Sequence, residues 1–579
     1  MSTYAASRSA RSGAAILAVV TLTASCASGS GSLSTASAGD PAAFATEGPL
    51  KFAPRPTSAA ITPVDLMTRL YVFADDSMMG RDDGGPFGAT KATSYVEREL
   101  RRLGLTPAGD NGGFFQDIGY RTVVADARST ITVEGQSLVF GRDFAPIARV
   151  GAHAVREQLT VIYGGALDSI ARITTAQASG KLVMLSAPRG VATGGRGGRG
   201  AATPLPAALA SAAAILIVQG DTLAGANAPA RGLASDDAAR ITAGPLRINV
   251  TRAAAGRLLG ADPASADPGR EGKSARVDLL FAETRWPVRN VVAIVPGSDR
   301  VLRNQYVAIG AHTDHVGFNT RPVDHDSLRA YNRVMRPRGL NDPAGTPTPE
   351  QSVAITQIRD SLSKLHPARR DSISNGADDD GSGSVVLLEI AEALARGPAK
   401  PKRSVVLVWH AAEEDGLLGS RYFSDHPTVP RDSIVAQLNM DMLGRGRASD
   451  HAGGGPEYLR LIGSHRLSTE LGDIVERANA QDKYGFVFDY SFDVPGHPQN
   501  SYCRSDHYNY ARFGIPIVYF STGVQADYHM VTDEPQYIDY LHMARNANFI
   551  KDVALVVGNL DHRPVVDKPI PDPTVPCRQ

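Results

Sequence analysis

Five compact apolar runs constrain this chain more than any other feature: VRNVVAIV (288–295), QYVAIGA (305–311), SVVLVWH (404–410), SIVAQLNM (433–440) and IPIVYF (515–520). Each has the length of a strand and too few polar positions for one face to sit in water. Strands buried on both faces read as such near-continuous runs. Segments with helical spacing lie between several of them, notably SVVLLEIAEALARG (384–397). The alternation predicts an α/β fold whose sheet is covered on both sides. In such sheets ligands collect beyond the carboxyl ends of the strands.

Those ends carry a particular set of side chains. His312 and Asp314 follow QYVAIGA; Glu413 and Glu414 come shortly after SVVLVWH; Asp441 follows SIVAQLNM; His529 closes STGVQADYH after IPIVYF. A further loop, NGADDDGSG (375–383), sets Asp378, Asp379 and Asp380 side by side where a helix begins. Three adjacent carboxylates repel one another, and a helix dipole relieves this only in part. Taken singly, each feature has an ordinary explanation as a cap, a loop residue or a solvated face. Taken together, separate segments deliver His, Asp, Glu, Asp and His to one rim. Imidazoles and carboxylates without thiolate suit Zn²⁺ or a similar borderline ion. Five ligands exceed what one catalytic Zn²⁺ takes, whereas two ions sharing a carboxylate fit the count. Two dications against three carboxylates and one hydroxide also sum to zero.

The stretches GAHTDHVG (310–317), NGADDDGSG (375–383), AAEEDGLLGS (411–420), QLNMDMLGR (437–445) and SDHYNYARFGIPIVYFSTGVQADYHMVTDEP (505–535) together resemble the di-zinc aminopeptidase family. That family includes bacterial leucyl-type aminopeptidases and glutamate carboxypeptidase-like enzymes. The resemblance implies a three-layer α/β/α mixed-sheet domain holding two Zn²⁺. His312 and Asp441 would bind the first ion, Glu414 and His529 the second, and Asp379 would bridge them. Glu413 matches the general base, and Asp314 the carboxylate that orients His312. Asp380 is expected to shape the turn behind Asp379. Asp506, Tyr508 and Arg504 are candidate substrate contacts. The expected reaction is removal of N-terminal residues from peptides. The alternatives are a carboxypeptidase, a glutaminyl cyclase-like acyl transferase and a non-enzymatic receptor-like scaffold.

Residues 56–125 and 285–565 are expected to form the peptidase domain. Residues 126–284, with short β-like runs and no cluster of candidate catalytic groups, are expected to form a mainly-β insert resembling a protease-associated domain. Within that insert, AALASAAAILIVQG (207–220) reads as a helix feeding a strand, and 189–204 as a Gly/Arg loop. The stretch 318–374 is longer than the family pattern and forms either a wall of the substrate pocket or a surface decoration.

The N-terminal 26 residues read as an export signal. Arg8 and Arg11 precede AAILAVVTLTA (14–24), which is too short to span a bilayer, and TLTASC ends in a lipoprotein-like Cys26. Ordinary cleavage near Ala36-Ser37-Ala38 is the alternative, and 27–55 reads as a tether. The chain is therefore expected in a bacterial cell envelope or secreted, touching membrane only through a lipid on Cys26. Cys503 and Cys577 would then sit where disulfides form, though spacing alone does not decide whether they pair. Lys+Arg and Asp+Glu both total 60, so no overall field draws nucleic acid, and none is expected as a partner.

Overall fold

The apolar runs pair with one another at the centre of a nine-stranded mixed sheet. We label its strands β1 (Thr106–Pro107), β2 (Phe115–Asp117), β3 (Arg289–Val295), β4 (Tyr306–His312), β5 (Ser404–His410), β6 (Ile434–Met440), β7 (Tyr458–Ile462), β8 (Val487–Asp489) and β9 (Ile517–Ser521). Their spatial order is β1-β3-β5-β4-β6-β9-β7-β8, with β2 also on β3. The neighbours β5, β4, β6 and β9 all run parallel, so their carboxyl ends share one rim. This computed structural model describes residues 47–579 apart from 86–87, 153–154, 168–170, 187–204, 224–227, 235–243, 366, 452, 482–483, 574 and 576. The export signal, Cys26, most of the tether and the Gly/Arg loop lie outside the described residues.

Alternate side chains of each central strand enter different cores, as a two-faced sheet requires. Val307, Ile309 and Ala311 of β4, with Val405, Leu407 and Trp409 of β5, face one layer. Helices α1 (Pro63–Phe73), α2 (Gly88–Leu103), α3 (Gly383–Arg396) and α4 (Tyr540–Asn559) cover that face together with the helix Thr469–Gln481. Ala308, Val406 and Val408 point the other way, toward Phe423, Tyr510 and Ile515. The result is three layers, α/β/α. Trp409 is fully buried and its indole N–H donates to Ser384 O at 3.0 Å, which ties β5 to the start of α3. Truncating a buried aromatic of this kind costs about 3–5 kcal/mol. Helix α1 starts where a chain should start one: Thr62 caps the Asp65 N–H, and Pro63 fills the first turn.

Residues 130–279 supply every strand of a separate eight-stranded sheet with its own apolar cores. A three-stranded sheet of Tyr120–Ala125, Ala230–Leu233 and Phe281–Arg285 lies where the chain passes between the two large sheets. The helix expected within 207–220 is absent. One 3-10 turn, Ala207–Leu209, precedes the strand Ala214–Val218, whose pairing with Leu182–Ser186 and Leu246–Val250 outweighs alanine's preference for helix.

The stretch 318–374 is ordered as an antiparallel pair, Phe318–Asp324 with Arg370–Ile373, enclosing helices His325–Met335 and Pro349–Leu365. Those helices share a small core of Ala330, Ile358 and Leu362. Cys503 and Cys577 form a disulfide that ties the C-terminal segment back to the chain before β9. Among the described residues, no helix is long and apolar enough to cross a membrane.

Candidate metal centre

At the shared rim the five candidate ligands meet. His312, the last residue of β4, places Nε2 3.3 Å from Asp379 Oδ1 and 3.7 Å from Asp441 Oδ1. His529 Nε2 lies 3.0 Å from both Asp379 Oδ2 and Glu414 Oε1. The two oxygens of Asp379 therefore face two different imidazoles, as a bridging carboxylate would. His529 Nε2, His312 Nε2 and Asp379 Oδ2 are buried, and none has a hydrogen bond of acceptable geometry. Lone pairs thus converge on one another, an arrangement that suits a shared cation and little else.

The electrostatics agree. Burial disfavours charge on His529, yet Glu414 and Asp379 push it up to about 10. Burial likewise opposes the charge on Glu414, but the facing imidazoles hold it down at about 2. His312 is raised well above the usual imidazole range by Asp314, Asp379 and Asp441, again against burial. Protons on the imidazoles stand in for positive charge that metal ions would supply, and metal binding would release them.

The Asp triplet divides its labour. Asp379 is aimed by its own backbone N–H, which donates to Asp533 Oδ2 at 3.1 Å. Both oxygens of Asp380 are occupied: Oδ2 accepts from His312 N at 3.0 Å, and Oδ1 from Gly383 N at 2.9 Å and Met442 N at 3.2 Å. Asp380, which also lies with His312 and Asp441 in one group of potential ligands, thereby ties the end of β4 and the loop after β6 to the start of α3. A Cβ on Gly383 would sit 2.3 Å from Asp380 Oδ1, so glycine is required there. Asp378 accepts from Gly444 N at 2.7 Å, and burial and Asp533 raise its carboxyl well above the usual range.

Asp314 places Oδ1 3.6 Å from His312 Nδ1, while its carboxylate accepts the backbone N–H groups of Glu413 and Glu414, each at 3.0 Å. The carboxylate thus fixes the loop bearing both glutamates beside the imidazole, whose Nδ1 lies 3.2 Å from the carbonyl O of Asp314 itself. Glu413 is 4 % exposed and lines a cavity of about 990 Å³ together with Asp379, Glu414, Asp441 and His529. Ala412, Met442 and His529 all hold left-handed backbone conformations beside or within the ligand set. Such strain, about 1–2 kcal/mol per residue, collects at functional sites.

Two functional residues had no assigned part in the sequence reading. His315 sets Nδ1 3.2 Å from Glu414 Oε1 and 3.7 Å from Asp379 Oδ2, joining the second group of ligating atoms. The second histidine of HTDH was its signal. Arg81 is fully buried and donates to backbone carbonyls of Thr313, Asn375, Gly376 and Asp379, binding two ligand loops together. The candidate substrate contacts are corrected in part. Arg504 lines the cavity, but Asp506 and Tyr508 do not. Asp506 is fully buried 3.3 Å from His410 Nδ1, and Tyr508 packs edge-on against Tyr502. Ser505 of that segment turns to the centre, donating to Asp441 Oδ2 at 2.8 Å.

Residues 290–554, which contain every ligand candidate, match the model of peptidase family M28. That match takes in 265 of the chain's 579 residues. Leucine aminopeptidase 1 of Ajellomyces dermatitidis is 31% identical over 223 residues, covering 36% of this chain and 54% of that protein. The protein of the same name from Sclerotinia sclerotiorum is 27% identical over 292 residues, covering 48% and 58%. The chain spans about half the length of the curated relatives it matches. Among solved structures, an aminopeptidase from Aneurinibacillus sp. strain AM-1 aligns over 88% of this chain and 97% of its own, with 16% identity and a TM-score of 0.45. A zinc aminopeptidase from Bacillus subtilis aligns over 88% and 100%, with 16% identity and a TM-score of 0.46. Within the M28 segment, both histidines of HTDH, the middle Asp of the triplet, Glu414, Asp441 and His529 bear on one centre.

Proposed function

We propose that this chain is an exported zinc-dependent exopeptidase that removes N-terminal residues from peptides. The observation that carries the reading is the carboxylate of Asp379, whose two oxygens face His312 on one side and His529 on the other. His312, Asp379 and Asp441 would hold one ion; Asp379, Glu414 and His529 would hold the second, with His315 beside it. Bound zinc supplies Lewis-acid chemistry, acidifying water and polarising a carbonyl. Glu413 has no place in either ligand set and lies at the cavity wall, which suits it to take a proton from the attacking water and pass it to the leaving amine. Asp314 keeps the imidazole of His312 and the backbone of Glu413 in register. Tyr528 stacks on the His529 ring at 3.7 Å and limits its rotation.

The cavity carries Asp83, Glu413 and Asp415, of which Asp83 already accepts from Ala412 N and Asp415 from Arg231 and Tyr120. It also carries Arg460 and Arg504, which would favour a carboxypeptidase. Arg460 is already engaged, with Nε 3.1 Å from Tyr458 Oη and its guanidinium 3.3 Å above Phe492. The aminopeptidase reading is supported by the curated relatives, which carry the name leucine aminopeptidase 1. Glu413→Gln is expected to retain zinc and lose most hydrolysis of aminoacyl-anilides, and peptides with blocked N-termini are expected to resist the wild type. Full turnover by the variant, or preference for blocked peptides, would refute the assignment.

The mainly-β unit spanning 130–279 fits a protease-associated insert. The Cys503–Cys577 disulfide fits an oxidising compartment and so supports export. A lipid on Cys26 completes the reading; Cys26→Ala should move the protein from the membrane to the soluble fraction, and unchanged fractionation would argue against the anchor.

A further inference from the structure

The cavity wall nearest Glu413 is only partly built by the M28 segment. Ala228, Pro229 and Arg231 also line it, and all three come from within the chain's excursion through residues 130–279. Arg231 lies on the strand Ala230–Leu233, 29% exposed at its side chain. Its Nη1 donates to both oxygens of Asp415, at 3.0 and 3.1 Å, and to Asp82 Oδ1 at 3.0 Å. Asp415 accepts a second hydrogen bond at 2.5 Å, from the hydroxyl of Tyr120 on the adjoining strand. Asp415 immediately follows Glu413 and Glu414. Gly84 leaves room for the guanidinium, since a Cβ there would lie 2.8 Å from Arg231 Nη2.

The charges explain why a cation is needed. Asp83, Glu413, Glu414 and Asp415 crowd this wall with Asp82 next along the chain, and the backbone alone does not neutralise them. Asp83 Oδ2 takes the N–H of Ala412 at 2.5 Å, so the segment 81–83 and the loop 411–415 already touch. Arg231 bridges the two segments with one guanidinium. Apolar contact reinforces the bridge: Tyr120 and Leu233 pack with Ala411, Ala412 and Leu418, and Trp286 lies against them. We infer that Arg231 is a positioning residue, by which the inserted unit fixes the loop bearing Glu413 and Glu414. It acts through Asp415 and need not touch the substrate. A displacement of about 1 Å at a reacting group can cost about 10²-fold in rate, so a loop tied at one more point has catalytic value.

The inference rests on the proposed peptidase activity for its kinetic arm, and on backbone mobility for an arm that needs no activity. The full zinc-loaded chain would be compared with Arg231→Ala, Arg231→Lys, Asp415→Asn and the Arg231→Ala/Asp415→Asn double variant. In Arg231→Ala, amides of 411–418 should exchange with deuterium at least about tenfold faster, while those of Leu182–Ser186 stay unchanged. With zinc content preserved, kcat on an aminoacyl-anilide should fall about 10–100-fold, the range for groups that orient catalytic residues, and KM should move less than about twofold. Arg231→Lys should be intermediate, because an ammonium lacks the guanidinium fork. The double variant should be no slower than Arg231→Ala alone, since the two residues act through one contact. Wild-type exchange in the loop would overturn the inference, as would unchanged kcat or strictly additive losses. If the wild type cleaves no peptide, the assignment of activity fails, and the exchange comparison still decides the role of Arg231.

Discussion

Ser505 shows how much of this centre is decided one atom at a time. Gln437 donates to Asn439 at 3.2 Å, Asn439 to Ser505 at 2.9 Å, and Ser505 to Asp441 at 2.8 Å, with every member of the chain buried. The relay holds the Asp441 carboxylate toward His312. Ser505→Ala is expected to weaken zinc binding about 10–100-fold, with Ser505→Thr recovering part of the loss, as read by chelator competition. Equal affinities would mean that Asp441 needs no such support. The side chains that meet at the rim were legible because carboxylates and imidazoles at strand ends are conspicuous. Arg81 was not, because its partners are backbone carbonyls, which leave no trace in residue identity. Asp506 was misleading for the converse reason: its neighbour Ser505 points to the centre, and one step along the chain reverses the direction.

Elements were legible in proportion to their periodicity. The two-sided strands and helix α3 stand where the apolar spacing put them. The alanine-rich stretch before Ala214 failed, since small residues carry weak patterning and a parallel partner on each side decided the outcome. The 318–374 elements show what the sequence left open. Phe318, Asn319 and Leu340 line the cavity, while Arg329 and Asn332 both contact Asp527 at 3.0 Å in the loop that carries His529. In the inserted unit, Asp143 fastens a turn to the helix Arg252–Leu259. Hydrogen bonds from Arg142, with those from Val139 N and Arg257 countering its burial, hold its carboxyl at about 2. A depressed folded pKa contributes stability above the unfolded value of about 3.8 that disappears as pH falls toward 2. Asp143→Asn should therefore melt below the wild type at neutral pH, with the gap closing between about pH 4 and pH 2. A gap independent of pH in thermal melts would show that the carboxylate's charge is not what stabilises the turn.

Across the whole molecule the centre is a concentration of like charge, with Asp378, Asp379, Asp380, Glu413 and Asp441 all buried. Ions bound only by the folded state add stability by mass action. Removing metal with a chelator should lower the melting temperature, and returned zinc should restore it, as followed by calorimetry. A melting temperature indifferent to chelation would mean that the imidazolium protons alone balance these carboxylates.

The buried guanidinium of Arg81 lies more than two hundred residues before the motifs it braces, and α1 and α2 complete the core beneath them. A boundary drawn where the family match begins would therefore cut through a shared core. The segment that carries the candidate ligands and the chain that precedes it share one core and one set of hydrogen bonds, and a recombinant exchange of one has to bring the other along.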